Sequence, residues 1–272
     1  GGDLNKPVEF SKLPVINNFQ KVKTKKYPTL ISQCEACKLV QLKYCIADKH
    51  IFPKNYAYLS GDSKEKLINY NDLISKIKKK FSIRKKMRVL DIGGNDGSLM
   101  EIAKKNGFNV LNIEPTSVAK ISKLKKVQTI EKKFNLPFAK ILLKKNKKFD
   151  FVFSTNFLAH TNHLKEILQG INLILKSDGI LVVEVQYLIN VLKTNGFDSF
   201  HQDHKYYYTV STLKKILNIF GIFVFDYEFT DRSKEILRVY AKKNENPMSK
   251  RLIKIIKYEK NYNTYERIIK LN

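Results

Sequence analysis

No apolar run in this 272-residue chain approaches the roughly 20 residues that a bilayer-spanning helix requires, and the N-terminus lacks the charged-then-apolar layout of a signal peptide. Neither a membrane span nor a secretory leader has support, so a cytoplasmic setting is expected. Arginine is scarce: six of the 51 basic residues are Arg, at positions 84, 88, 232, 238, 251 and 267. The formal net charge of +26 therefore comes from Lys spread among Asn and Ile, whereas nucleic-acid readers cluster Arg and set aromatics beside it. A basic nucleic-acid-binding module stays as an alternative of another class, but no nucleic-acid partner is expected. A phosphorylated small molecule suits the same field. Cysteine is sparse too, and Cys34, Cys37 and Cys45 form no disulfide framework. Cys34-Glu-Ala-Cys37 is half of a four-thiolate zinc site whose second pair this chain does not contain. A redox pair needs a thioredoxin-like surround, and Lys38-Leu-Val-Gln-Leu42 reads instead as the strand of a zinc ribbon. On the residues alone, the metal-binding and purely structural readings of this pair both stay open.

What is present is a 43% apolar composition, ample for a core. Residues 1–62, interrupted by Pro7, Pro14, Pro28 and Pro53, read as a small loop-rich module. Apolar Leu67, Ile68, Leu73, Ile74 and Ile77 predict a linking helix within 63–86. From 87 to 244 strands and helices alternate, the pattern of a parallel α/β sheet. The strands fall at Val89–Ile92, Asn109–Ile113, Phe151–Phe153 and Gly179–Glu184, the last opened by a turn at Asp178-Gly179. The helices fall at 98–106, 118–125, 163–175 and 211–220, and Ile222–Phe225 with Leu237–Tyr240 form a closing antiparallel pair. Residues 245–272 are Lys-rich with helical spacing at Leu252, Ile255 and Ile256, and read as a segment lacking its partner. There is no internal repeat.

The segment Asp91-Ile-Gly-Gly-Asn-Asp-Gly97 ends the first of these strands. In a doubly wound sheet ligands bind at such strand ends, and Gly93 and Gly97 let backbone approach a ligand closely. A dinucleotide fingerprint starting at Gly93 needs glycine at 95 and 98, where the chain has Asn95 and Ser98. S-adenosylmethionine fits better: Asp91 or Asp96 can accept from its ammonium, Glu114 at the end of the next strand can hold the ribose hydroxyls, and Pro115 can pack on the adenine. Asn156 and His160, after the strand at 151–153, are placed at the rim of the same cofactor site. The expected fold is thus α/β, a doubly wound Rossmann-like class I S-adenosylmethionine methyltransferase sheet preceded by a small zinc-ribbon-like module.

Phe197–Thr209 packs His201, His204, Asp198, Asp203 and Tyr206–Tyr208 into one short run after a buried strand. With this run the sequence resembles the sugar C-methyltransferases, which methylate C-3 of nucleotide-linked 4-keto-deoxysugars. The resemblance extends nearly end to end, through Leu13-Pro-Val-Ile-Asn-Asn-Phe19, Cys34-x-x-Cys-x-Leu-Val-Gln-Leu42, Tyr56-Ala-Tyr-Leu-Ser60, Asp91–Gly97, Asn156-Phe-Leu-Ala-His160 and Leu175–Glu184. The family's Tyr-His-Glu-His run falls on His201-Gln-Asp-His204, followed by the matching Tyr207. It implies His204 as the base that removes the C-3 proton, with Asp203 in place of the family's carboxylate and His201 in place of its tyrosine. It also implies Tyr56 or Tyr58 as hydrogen-bonding partners of a nucleotide-sugar substrate, and a zinc site of which only Cys34 and Cys37 are present. A chain shortened at both ends is implied as well. An O- or N-methyltransferase of another small molecule is the alternative on the same fold.

Overall fold

The computed structural model describes residues 2–16, 25–53, 56–145, 148–230 and 234–272. Asn17, Asn18 and Phe19 of the Leu13–Phe19 run lie outside the described residues. In chain order, strands β1 (Val8–Pro14), β2 (Lys26–Gln33) and β3 (Val40–Leu42) precede the short helix α1 (Asp48–Ile51) and the long helix α2 (Lys64–Lys80). An alternating series follows: β4 (Arg88–Ile92), α3 (Ser98–Lys105), β5 (Asn109–Ile113), α4 (Ala119–Leu124), β6 (Thr129–Ile130), α5 (Leu136–Lys144), β7 (Phe149–Thr155) and α6 (Leu164–Ile174). Then come β8 (Leu175–Gln186), α7 (Leu188–Lys193), β9 (Tyr206–Tyr207), α8 (Val210–Ile219), β10 (Phe223–Phe229), β11 (Ile236–Lys242), α9 (Lys250–Lys260) and α10 (Thr264–Leu271). The strands form one sheet of order β1-β2-β3-β9 and a second of order β10-β11-β8-β7-β4-β5-β6. This is an α/β Rossmann-like fold with a mostly parallel central sheet. Among the described residues no helix is long and apolar enough to cross a membrane.

Two compact units make up the chain: Phe52–Thr155 with His163–Val182, and Gly1–Ile51 with Asn156–Asn162 and Val183–Asn272. That division crosses the limits at 62, 86 and 244 read from the sequence.

In the first unit β4 pairs in parallel with both β5 and β7, and β5 with β6. Val89, Leu90, Ile92, Val110, Leu111, Ile113, Phe151, Val152 and Phe153 are all buried, as strands covered on both faces require. Helix α2 opens on Ser63, whose hydroxyl accepts from the Lys66 N–H, and it buries Tyr70, Leu73, Ile74 and Ile77. Ile68, counted in the apolar set from spacing, is exposed instead, and Tyr70 takes its place on the buried face. The sequence reading missed β6 and α5. Pro137 looks like a breaker, but it lies in the first turn of α5, where no intrahelical N–H is needed, behind an Asn135 cap on the Phe138 N–H. The turn expected at Asp178-Gly179 is absent: β8 runs unbroken from Leu175, and Gly179 is buried where an added Cβ would come within 2.9 Å of the Phe149 carbonyl. Close strand approach, not a turn, is why glycine stands there.

In the second unit β1, β2 and β3 are antiparallel, and the fourth strand of their sheet is β9, far along the chain. The expected N-terminal zinc ribbon is therefore not a self-contained module. Residues 245–272 find their partners within this unit. Helix α9 packs on α8 and β10, α10 packs on α7, and Ile268 joins Leu188, Val191, Leu192, Phe200 and Tyr207 in one apolar cluster. Glu259 of α9 is buried and accepts from the N–H groups of Val210 and Ser211 at the start of α8 and from the Tyr187 hydroxyl. A carboxylate at that position satisfies orphan helix donors and faces the positive end of the helix dipole. The β10–β11 hairpin is held by a charge inside the sheet: Arg238 Nε donates to Glu184 at 2.6 Å and Nη1 to Glu228 at 2.8 Å, with Arg238 and Glu184 fully buried. Breaking such a pair from one side leaves an uncompensated buried charge. Arg238→Met is thus expected to lower unfolding stability by about 3–5 kcal/mol in chemical denaturation.

Candidate functional site

The first site is the turn after β4. Gly93 and Gly97 have φ of 70° and 74°, left-handed values that a side chain resists. Gly94 lies between two polar side chains: a Cβ there would be 2.2 Å from Asn112 Oδ1 and 2.6 Å from Asp91 Oδ2. Asn95 ties the turn together. Its N–H donates to Glu114 Oε2 at 3.0 Å, its Oδ1 accepts from the Ser60 N–H at 2.8 Å, and its Nδ2 donates to the Tyr58 carbonyl at 3.0 Å. Tyr56 and Tyr58, read from the sequence as part of the N-terminal module, belong instead to the unit that carries this turn, with ring centroids 6.4 Å apart.

The two carboxylates offered for an ammonium are told apart by their partners. Asp96 accepts from Lys125 Nζ at 2.7 Å, Ser98 Oγ and Gly61 N–H at 3.0 Å, and Ser98 N–H at 3.2 Å. Four bonds fill its lone pairs, so Asp96 holds the 58–61 segment and the start of α3 in place. Asp91, buried beside Gly94, is the carboxylate that borders the glycine cradle. Glu114 accepts from the Asn95 N–H, the Thr116 N–H at 2.9 Å and the Thr116 hydroxyl at 2.7 Å, which leaves one of its roughly four lone-pair positions open. Holding two ribose hydroxyls requires the Thr116 hydroxyl to turn away. Pro115 is exposed next to it.

Asn112 was missed from the sequence. It is fully buried in β5 in register with Asp91, its Nδ2 donates to the Asn95 carbonyl at 3.2 Å and to Ser122 Oγ at 3.0 Å, and its Oδ1 has no hydrogen-bond partner among the described residues. An amide in the middle of an apolar parallel strand was the available signal. A cradle that one methyl group would fill, edged by a carboxylate and an amide oxygen, fits the amino-acid end of S-adenosylmethionine.

The second site lies in the other unit and joins His160 to His201–His204. The His160 and His204 ring centroids are 4.8 Å apart, and those of His201 and His204 are 4.2 Å apart at an interplanar angle of 35°. His160 Nδ1 lies 2.7 Å from the Asp203 carbonyl. A carbonyl only accepts, so this nitrogen carries a proton. Burial, then His160, then His201 hold the His204 imidazole well below its ordinary range. It is therefore uncharged at neutral pH. Asp203 is buried, its Oδ1 accepts from the Ile16 N–H at 3.4 Å and lies 3.8 Å from His201 Nδ1.

Tyr207 is buried and its hydroxyl accepts from the His201 N–H at 3.2 Å, so it positions the loop. Gln202 braces the run by donating to the Pro28 carbonyl at 2.7 Å. Lys205, fully buried, pairs with Asp48 at 2.9 Å, and Asn162 donates to the same Asp48 oxygen at 2.6 Å. Asn156, left-handed at φ 56°, donates its N–H to the Glu184 carbonyl at 2.8 Å. The sequence had placed Asn156 and His160 in the cofactor set; both belong to the unit of the histidine cluster.

Cys34 and Cys37 flank a tight turn in which the Lys38 N–H donates to the Cys34 carbonyl and the Cys34 N–H to that of Leu39. Among the described residues no group of three or more His, Cys, Asp or Glu is placed to hold a metal. Two thiols do not make a closed tetrahedral site. The residues present do not fit a structural zinc, and no step is assigned to one.

Residues 66–224 match the family model of the methyltransferase domain. The chain belongs to this family. Among curated proteins it is similar to C-methyltransferase NovU of Streptomyces niveus, 24% identical over 206 residues that cover 75% of this chain and 49% of that protein. The chain thus spans about half the length of the curated relative it matches. Two solved structures share the methyltransferase fold. An S-adenosylmethionine-dependent methyltransferase from Clostridium acetobutylicum matches with TM-score 0.51, 13% identity and coverage of 66% of this chain and 92% of that one. Magnesium protoporphyrin IX methyltransferase from Synechocystis, with bound SAH, matches with TM-score 0.51, 16% identity and coverage of 65% and 83%.

If Gly94 is the close-approach point, Gly94→Ala is expected to weaken S-adenosylmethionine binding at least about tenfold, or ~1.4 kcal/mol, in titration calorimetry. Far-UV circular dichroism of the same sample checks that the fold is kept.

Proposed function

We propose that the chain transfers a methyl group from S-adenosylmethionine to carbon, at C-3 of a nucleotide-activated 4-keto-deoxysugar. The observation that carries this reading is His204, an imidazole kept neutral among two others in a run that resembles the one bearing the base of the sugar C-methyltransferases. Transfer to oxygen or nitrogen makes less demand on a base, because those atoms already have a lone pair. A carbon acceptor must first lose a proton. The likeness to C-methyltransferase NovU supports the same choice.

In this reading His204 takes the C-3 proton of a carbon next to the 4-ketone, and the C–H electron pair becomes the enolate. S-adenosylmethionine supplies an electrophilic methyl on sulfur. The enolate carbon would take this methyl, leaving the sulfur–methyl bond pair on sulfur and restoring the ketone. Asp91 receives the ammonium, Asn112 Oδ1 borders the same cradle, and Glu114 holds the ribose. Tyr56 and Tyr58 serve as hydrogen-bonding partners of the sugar. Asp203 and Tyr207 keep the base-bearing loop in shape.

The test is incubation of the protein with labelled S-adenosylmethionine and a panel of nucleotide 4-ketosugars in deuterated water. Expected are C-methylated product and exchange at C-3, both lost by at least about 10³-fold in His204→Asn with cofactor affinity unchanged. Because the folded His204 loses its proton well below pH 6.5, the acid limb of kcat/KM is expected below that pH, with activity falling only as acid reprotonates the ring. Methyl transfer without C-3 exchange sends the reading to an O- or N-methyltransferase.

A further inference from the structure

Among the described residues, the ring nitrogen of the histidine cluster that is buried without a hydrogen-bond partner is His201 Nδ1. The residue is 7% exposed. What anchors the residue is its backbone, through the N–H given to the Tyr207 hydroxyl. A buried polar atom left unpaired costs about 1–3 kcal/mol, so packing alone favours an apolar ring at this position. The ring instead lies against His204, centroids 4.2 Å apart and planes tilted by 35°. No hydrogen bond joins the two rings among the described residues, and their influence on each other passes through space. Two unit charges about 4 Å apart repel by roughly 4 kcal/mol at an effective dielectric of 20, enough to keep both rings from being protonated together.

We propose that His201 is a positioning residue that acts through His204: set 4.2 Å from the base, its imidazole opposes a charge on His204 and leaves that ring ready to take a proton from substrate. The inference rests on the reading of His204 as base. Other groups face the pair. His160 comes from the segment after β7, Tyr207 from β9 at 6.2 Å from His204, and Asp203 sets its carboxylate 3.8 Å from His201 Nδ1. The Lys205–Asp48 pair lies beside Cys45, whose field reaches Tyr207. Burial pushes the Tyr207 phenol far up, so it stays neutral throughout. The lowering of His204 by burial, His160 and His201 agrees with this arrangement.

The experiment is an NMR titration of imidazole-labelled protein without substrate, its five histidines assigned by single replacement. His201→Phe keeps a ring and removes the charge. The His204 midpoint is expected to rise by about one pH unit, and the acid limb of kcat/KM to rise with it. His201→Gln, expected to act in the same direction, serves if the phenylalanine variant does not fold. An unmoved His204 midpoint in a folded variant, with activity reduced equally at every pH, overturns the proposal and leaves His204 as base untouched. A raised midpoint together with full activity of His204→Asn keeps the electrostatic coupling but removes the catalytic reading.

Discussion

Asn95 carries a left-handed backbone between two glycines that are also left-handed, and every polar atom of its side chain is occupied in keeping it there. The glycines adopt such values freely, but Asn95, a residue with a Cβ, needs outside bonds to hold it there. The surrounding bonds over-determine it: Glu114 on the backbone N–H, Asn112 on the carbonyl, and the 58–60 segment on the side chain. The glycine cradle, the position of Asp91 and the placement of Tyr58 all depend on that knot.

A comparable logic runs through the second unit. The HQDH run has little regular structure, and its geometry is set by long-range bonds: Tyr207 on the His201 backbone, Gln202 on Pro28, Ile16 on Asp203, and the buried Lys205–Asp48 pair. Each spends polar groups that burial would otherwise leave unsatisfied, and in return fixes ring positions to within a narrow range. Buried networks of this kind are rigid when every member is satisfied. His201 Nδ1, buried without a hydrogen-bond partner among the described residues, is an exception, which is why it invites a functional explanation.

Much of the architecture was legible in the chain. β4, β5, β7 and the central part of β8 announce themselves as short apolar runs, and α3 and α6 between them carry one-sided apolar spacing. What escaped reading did so for physical reasons. β6 has two residues and no periodicity to detect. Pro137 masked α5, since a proline is a breaker in a helix interior and harmless in its first turn. Asp178-Gly179 has turn chemistry but stands in a strand, because glycine also answers the need for close backbone approach. The Lys-rich C-terminal helices looked partnerless because Glu259 and Ile268 act through contacts distant in sequence.

For the candidate site, residue types and spacing pointed to Asp91–Gly97, Glu114, His160 and His201–His204 as candidates, since glycine-rich turns, strand-end acids and clustered imidazoles leave local marks. Sequence alone could not divide labour among them. That Asp96 is consumed by Lys125 and Ser98 while Asp91 edges the cradle, that Asn112 borders it too, and that Tyr207 spends its hydroxyl on the His201 backbone were decided by tertiary structure. The reason is common to all three cases: a polar side chain's role depends on which of its lone pairs and protons are already taken, and its partners here come from segments far away along the chain.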